Sequence, residues 1–399
     1  MFRSLLCASA LVLLYPTAID LYLVGLPNIA TALGASEAQL HMAFSVYLAG
    51  MAASMAVAGR VSDQLGRKPV AIVAAVIFMA ASLYAAQALH SSAFLWARLG
   101  QGIGAGGCYV VAFAILRDTL AEPQRAKVLT MLNGITCIMP VLAPVLGHLI
   151  MLQQPWTALF YTMAALGAAV VVLALLVLNE SRPGPLTATN TPSAPEQRSE
   201  SFLQAPFIRF LIITSFGVTA ILTYVNVSPL LLMQQLGFSR SDYASVMAAT
   251  ALISMMVSFS APWLLGRVGE RPLLLLSQVS FIGAALLLLI GSSNSTLLVA
   301  LALICAGFAC GFGVAMSQAL APYQARAGVA SSLLGIAQIC SSALYIWLLG
   351  WLQVSASTML LVILAGGGVI SLGFLLWPLS PAPVTATANN EKISGTAGS

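Results

Sequence analysis

The chain has 399 residues, of which 60% are hydrophobic and 7% charged, with a formal net charge of +5. A soluble domain carries roughly 25% charged residues, so a water-soluble enzyme, a nucleic-acid binder and a disordered chain are excluded. Only three lysines occur, Lys68, Lys127 and Lys392, and none follows a glycine. That leaves no Walker-type phosphate loop. The six cysteines lie in apolar stretches without C-x-x-C spacing, as small hydrophobes do. No metal and no cofactor is expected.

A helix crossing a bilayer needs roughly 20 apolar residues. Twelve such runs occur: 5–26, 40–59, 70–89, 94–116, 128–151, 156–178, 207–232, 243–265, 273–291, 297–319, 329–350 and 356–378. They are too long and continuous for β-barrel strands. The expected fold class is an all-α integral membrane protein with twelve transmembrane helices in two pseudo-symmetric six-helix bundles. Residues 1–178 would form the first bundle, a Pro/Ser/Thr-rich segment 179–206 a linker, 207–378 the second bundle, and 379–399 a disordered tail.

The first span follows Arg3 and runs to Leu26, too long for a signal-peptide core, and is read as retained. It carries Tyr15, Asp20 and Tyr22. The second carries His41 and Tyr47 and leads into the loop Gly59-Arg60-Val61-Ser62-Asp63-Gln64-Leu65-Gly66-Arg67-Lys68-Pro69. The fourth carries Arg98 and Gln101, then Gly102, Gly104 and Gly107. These spell G-x-G-x-x-G, but mid-helix glycines fit close helix packing, not a dinucleotide site. The fifth holds Asn133, Pro140, Pro144 and Gly147; prolines there remove backbone bonds and let the helix bend. Asn226 lies in the seventh span and Gln338 in the eleventh. The loop after the eighth, Gly266-Arg267-Val268-Gly269-Glu270-Arg271-Pro272, echoes the loop after the second. Two related bundles of this kind point to a transporter with a site between them.

Asp20 and Arg98 are the two charges well inside spans, each costing about 2.5–3.5 kcal/mol at a helix centre. Their similar depth suggests a common cavity in which they pair. Arg98 stays charged while Asp20 can titrate, so Asp20 is the expected proton-coupling acid. Tyr22, Tyr47, Gln101, Asn133, Asn226 and Gln338 are candidate cavity residues. His41, His90 and His148, at or near helix ends, are read as ordinary interfacial residues. Fourteen of the sixteen Lys and Arg residues fall on one side of the expected membrane, with Arg240 on the other and Arg98 within a span. The positive-inside rule therefore places both termini in the cytoplasm.

The loop from Gly59 to Pro69 resembles the signature of the major facilitator superfamily between helices two and three. The resemblance implies an inner gate formed by Gly59, Asp63, Gly66, Arg67 and Lys68, with Asp63 engaging the start of the eleventh helix near Gly328 to Ser331. Arg98-Leu99-Gly100-Gln101-Gly102-Ile103-Gly104-Ala105 resembles the fourth-helix motif whose arginine is linked to proton transfer. Pro140, Pro144 and Gly147 resemble the antiporter motif G-P-x-x-G-G, with Ala143 and His148 replacing glycines. Asp20-Leu21-Tyr22-Leu23-Val24-Gly25-Leu26-Pro27 is similar to the first-helix pattern of the Bcr/CflA drug-exporter group, with Val24 in place of a proline. The resemblance implies a proton-coupled multidrug antiporter of the bacterial inner membrane, driven by the proton gradient, with lipid and small drugs such as phenicols as its partners; the sequence carries no positive oligomerisation signal, and a monomer is expected. A nutrient importer and, from another class, an intramembrane enzyme or sensor are the alternatives.

Overall fold

A computed structural model describes residues 2–119, 138–178, 180, 204–291 and 293–377, with the side chains of 2–4, 117 and 324–329 outside the description. All regular structure among the described residues is helical. Eleven helices are long and apolar enough to cross a membrane, and a shorter apolar helix stands at the expected fifth span. They are numbered α1 (Phe2–Asp20), α2 (Glu37–Leu65), α3 (Arg67–Ala86), α4 (Ser91–Thr119), α5 (Ile138–Ile150) and α6 (Thr157–Val177) in the first half. The second half holds α7 (Ala205–Gln235), α8 (Arg240–Val268), α9 (Glu270–Ile290), α10 (Asn294–Leu320), α11 (Ala327–Trp351) and α12 (Ala356–Leu376). Pro206, expected in the linker, lies in the first turn of α7, where a missing N–H costs nothing. Most of the expected linker and the tail from 378 lie outside the described residues.

The first span differs from its expected form. Its helix ends at Asp20, passes through a 3-10 turn at Leu23–Gly25, and resumes as a short helix, Leu26–Leu33, with Pro27 in its first turn. Pro27 has no N–H to continue the ladder, and so starts a helix more readily than it extends one.

The same punctuation is written twice. Gly34 (φ 58°) and Ser36 precede α2, and Gly237 (φ 69°) and Ser239 precede α8. Both serines close capping boxes, with Gln39 and Asp242 as their partners. Gly66 (φ 105°) ends α2 and Gly269 (φ 81°) ends α8, positive φ values that favour glycine. The offset along the chain is the same for all three pairs.

Within the first half α4 packs on α2, α3 and α1, and within the second α10 packs on α9, α7 and α8. The glycines of α4 allow this. A Cβ on Gly102 or Gly106 would strike the carbonyl oxygen of Tyr47 or Met51 on α2, and one on Gly104 would lie 2.5 Å from Phe78 N and 2.7 Å from Ala74 O on α3. The G-x-G-x-x-G run is thus a packing surface. α2 meets α11 across the halves. Large apolar side chains such as Leu89, Trp96, Leu176, Phe259 and Ile290 are exposed, as suits a surface facing lipid rather than water. Among the described residues the buried Asp, His and Arg side chains are Asp20, His41, Arg67 and Arg98, all in the first half, and the buried polar residues of the second half are neutral.

Candidate functional site

The site is built around Arg98 on α4, which has no exposed surface. Its guanidinium lies between two aromatic rings, 4.3 Å from the Tyr22 centroid and 4.4 Å from that of Tyr47. Nη1 donates to the Ala18 carbonyl oxygen at 3.0 Å and to Gln101 Oε1 at 2.7 Å. Gln101 Nε2 in turn donates to Ser82 Oγ at 2.8 Å, and Ser82 to the Phe78 carbonyl oxygen. Tyr47 donates to the Tyr15 carbonyl oxygen at 3.0 Å. The expected residues Tyr22, Tyr47, Arg98 and Gln101 therefore form one network, which also includes Ser82 and the end of α1.

The expected pairing of Asp20 with Arg98 is not present: no ion pair joins them within 4.0 Å. The break after Asp20 explains what replaces it. A helix end leaves carbonyls without intrahelical donors, and a cation is favourable there. Arg98 takes the Ala18 carbonyl at that end instead of the carboxylate. Its Nε and Nη2 carry no hydrogen-bond partner. Asp20 is 3% exposed and makes no hydrogen bond or ion pair with described residues, although Tyr15, Tyr22, Tyr47 and Tyr243 lie within its electrostatic reach. Tyr15 stacks edge-on against Tyr109, which contacts Phe113. Sequence reasoning passed over these two rings, whose i, i+4 spacing on α4 was the available signal.

A second constellation occupies the turn between α2 and α3. Arg67 is fully buried. Its Nη1 lies 2.6 Å from Asp63 Oδ1 and donates to Ser62 Oγ at 2.8 Å, while Nε donates to Asp118 Oδ2 on α4 at 2.7 Å. Glu180, just past α6, accepts from the backbone N–H groups of Arg67 (2.7 Å) and Lys68 (3.2 Å), and Lys68 Nζ donates to the Leu175 carbonyl oxygen. A carboxylate is well placed at a helix N-terminus. A Cβ on Gly66 would collide with the Glu180 carboxylate, and Gly59 approaches Val110. Asp118 and Glu180 are further residues that sequence reasoning missed: Asp118 pairs with an arginine whose burial only the structure shows, and Glu180 binds backbone N–H groups far from it in the chain. Of the stretch Gly328 to Ser331 that Asp63 was expected to meet, the side chains of residues 328 and 329 lie outside the described residues.

The other expected residues are dispersed. Gly147 packs against the break in α1, its Cβ position 2.6 Å from Val24 Cγ1 and 2.8 Å from the Leu21 carbonyl oxygen, while Pro144 is buried and Pro140 half-buried. Asn226 bonds to His41 instead of joining the Arg98 network. Gln338 is buried in the second half near Met316 and shares its carbonyl with Ser341 and Ser342. Asn133 lies outside the described residues. Among the described residues no group of three His, Cys, Asp or Glu could hold a metal.

The family description of the Major Facilitator Superfamily matches residues 8–347. The chain belongs to the major facilitator superfamily. It is a multi-pass membrane transporter, not an enzyme, and the major facilitator fold accounts for its two halves. A multidrug resistance protein MdtL from Vibrio parahaemolyticus serotype O3:K6 is 58% identical over 99% of this chain and 100% of its own. Proteins of the same name from Shewanella oneidensis (58%, covering 94% and 96%) and Klebsiella pneumoniae (59%, covering 94% and 95%) are similarly close. In fold the chain is similar to a D-xylose–proton symporter, with TM-score 0.77 at 16% identity over 94% of this chain and 97% of the other. It is also similar to the xylose transporter XylE from E. coli in a partially occluded inward open conformation, with TM-score 0.74 at 14% identity over 94% and 96%.

Proposed function

We propose that this major facilitator protein exports amphipathic small molecules, phenicol-type drugs among them, in exchange for protons across the bacterial inner membrane. The relatives named as multidrug resistance proteins support drug export. The observation that carries the mechanism is a buried carboxylate, Asp20, with no hydrogen-bond or ion-pair partner among the described residues, at the helix break where Arg98 is held by other groups. Such an acid is free to exchange a proton without dismantling the arginine's contacts. Its charge acts on the aromatic groups around it, and the partly buried Tyr15, Tyr109 and Phe113 offer flat apolar surface to a drug.

The end carrying Arg60, Arg67, Lys68, Arg209, Arg267 and Arg271 is assigned to the cytoplasm by the positive-inside rule, with both termini on that side, and the transporter works as a monomer. The cycle is alternating access. A proton reaches Asp20 from outside, shifts the balance between the two open states, and leaves inside; the drug uses the same cavity in the other direction. A proton entering through 100 mV contributes about 2.3 kcal/mol, enough for roughly a fifty-fold gradient of a neutral drug.

The test uses purified protein in liposomes with a known inward-facing fraction, an imposed pH gradient and a labelled neutral phenicol. Drug movement with opposite proton flow, lost in Asp20→Asn, is the expected result. Drug and protons moving together would make the protein a symporter. Coupled antiport that survives Asp20→Asn would place the proton elsewhere.

A further inference from the structure

At the end opposite the basic loops, hydrogen bonds among the described residues cross between the halves, among them His41 to Asn226, and Arg240 Nη1 to the Met151 carbonyl oxygen at 3.0 Å. The first joins α2 to α7, with 2.7 Å between His41 Nδ1 and Asn226 Nδ2. Both side chains are buried, His41 at 1% exposure and Asn226 at 2%. The second imidazole nitrogen has no hydrogen-bond partner and lies 3.7 Å from Glu37 Oε1, one helical turn earlier. Beside them is a cavity of about 150 Å³ lined by Ser36, Glu37, His41, Gly350 and Gln353 among others. It is large enough for several water molecules, and gives the imidazole a route to protons that does not pass through the Arg98 network.

From this geometry we infer that His41 and Asn226 form a latch between the two halves, tightened when His41 takes up a proton from the compartment this end faces. In the neutral form the Asn226 amide donates to Nδ1, and Nε2–H faces Glu37 beyond hydrogen-bond length. In the charged form both ring nitrogens are donors. The amide turns to offer its oxygen to Nδ1–H, and Nε2–H draws in the Glu37 carboxylate. One neutral contact becomes a charge-assisted bond backed by an ion pair. Glu37, on the same helix, is the charged group facing His41 among the described residues; α7 contributes the neutral Asn226, and α11 with its following turn contributes Gly350, Gln353 and Val354. Acid on this side therefore holds this end shut. The latch does not depend on Asp20 being the coupling acid.

Hydrogen exchange read by mass spectrometry on the full chain in lipid nanodiscs tests this, with rates corrected for the intrinsic pH effect. Going from pH 8 to pH 6, protection of the segments around residues 36–45 and 224–230 is expected to rise about fivefold, the step from a neutral to a charge-assisted hydrogen bond. His41→Asn, which retains an amide hydrogen bond but cannot titrate, is expected to abolish that rise. Glu37→Gln is expected to shrink it, and Asn226→Ala to leave both segments poorly protected at either pH. No rise in the unaltered protein, or a full rise in folded His41→Asn, overturns the proposal. Should His41→Asn fail to fold, an undiminished rise in both Glu37→Gln and Asn226→Ala overturns it equally. Because the readout is local protection, these results stand apart from any outcome of the Asp20→Asn transport assay.

Discussion

The glycines of α4 and α10 allow one substitution to be set against itself. Gly104→Ala places a Cβ 2.5 Å from Phe78 N and 2.7 Å from Ala74 O. An ordinary contact starts near 3.4 Å, so the α3–α4 seam must open by about 1 Å, and both obstacles are backbone atoms that cannot rotate away. Gly313→Ala on α10 meets nothing within 4 Å. Both variants gain the helix propensity of alanine, about 0.8–1.0 kcal/mol, and both lose the same unfolded-state freedom. Subtracting one from the other leaves the overpacking cost, about 1–3 kcal/mol, with the rigid obstacles favouring the upper half of that range. Unfolding by SDS in mixed micelles, followed by circular dichroism, measures each difference. Gly313→Ala should match or exceed the unaltered protein, and Gly104→Ala should fall below Gly313→Ala by that margin. The opened seam also carries the Gln101–Ser82 hydrogen bond at 2.8 Å, so transport should decline alongside stability. Two variants of equal stability, within about 0.5 kcal/mol, would refute the view that α4 is held at contact distance by its glycines.

Arg98→Lys keeps the charge but not the planar fork that lies between two rings while bonding Ala18 and Gln101. Losing one charged hydrogen bond costs about 1.5–3 kcal/mol, so transport should fall at least about tenfold while the protein still folds; near-normal transport would show that charge alone suffices. Glu180→Gln removes the anion at the start of α3. A loss of about 0.3–1 kcal/mol is expected at low salt, shrinking as salt is added, and an unchanged SDS midpoint at low salt would count against the capping role.

Much of the architecture was legible because a bilayer forces apolar runs of fixed length. The cost of burying charge likewise singled out Asp20 and Arg98. Their relationship was not legible. Hydropathy treats residues 5–26 as one run, whereas Gly25 and Pro27 break it and release the Ala18 carbonyl that takes the arginine. Helix rotation was a second gap. A helix that is apolar all round gives no stripe to orient it, which is why Asn226, grouped with the cavity residues, meets His41, read as an interfacial residue. Glu180 was hidden differently: it lies 113 positions from Arg67, and no local pattern joins them.

Among the described residues, the confinement of buried Asp, His and Arg side chains to the first half has a consequence for how such a protein can diversify. The second half holds neutral contacts, such as Thr219 with Ser342 and Tyr224 with Thr250. Neutral hydroxyl pairs can be exchanged for other neutral pairs without stranding a charge, whereas replacing either partner of a buried ion leaves the other exposed to the full desolvation penalty. Changes in ligand preference therefore have an inexpensive route through the second half, while the groups that respond to protons and charge stay fixed in the first. A duplicated scaffold whose buried ionisable side chains, among the described residues, sit in one copy leaves the other copy free to drift.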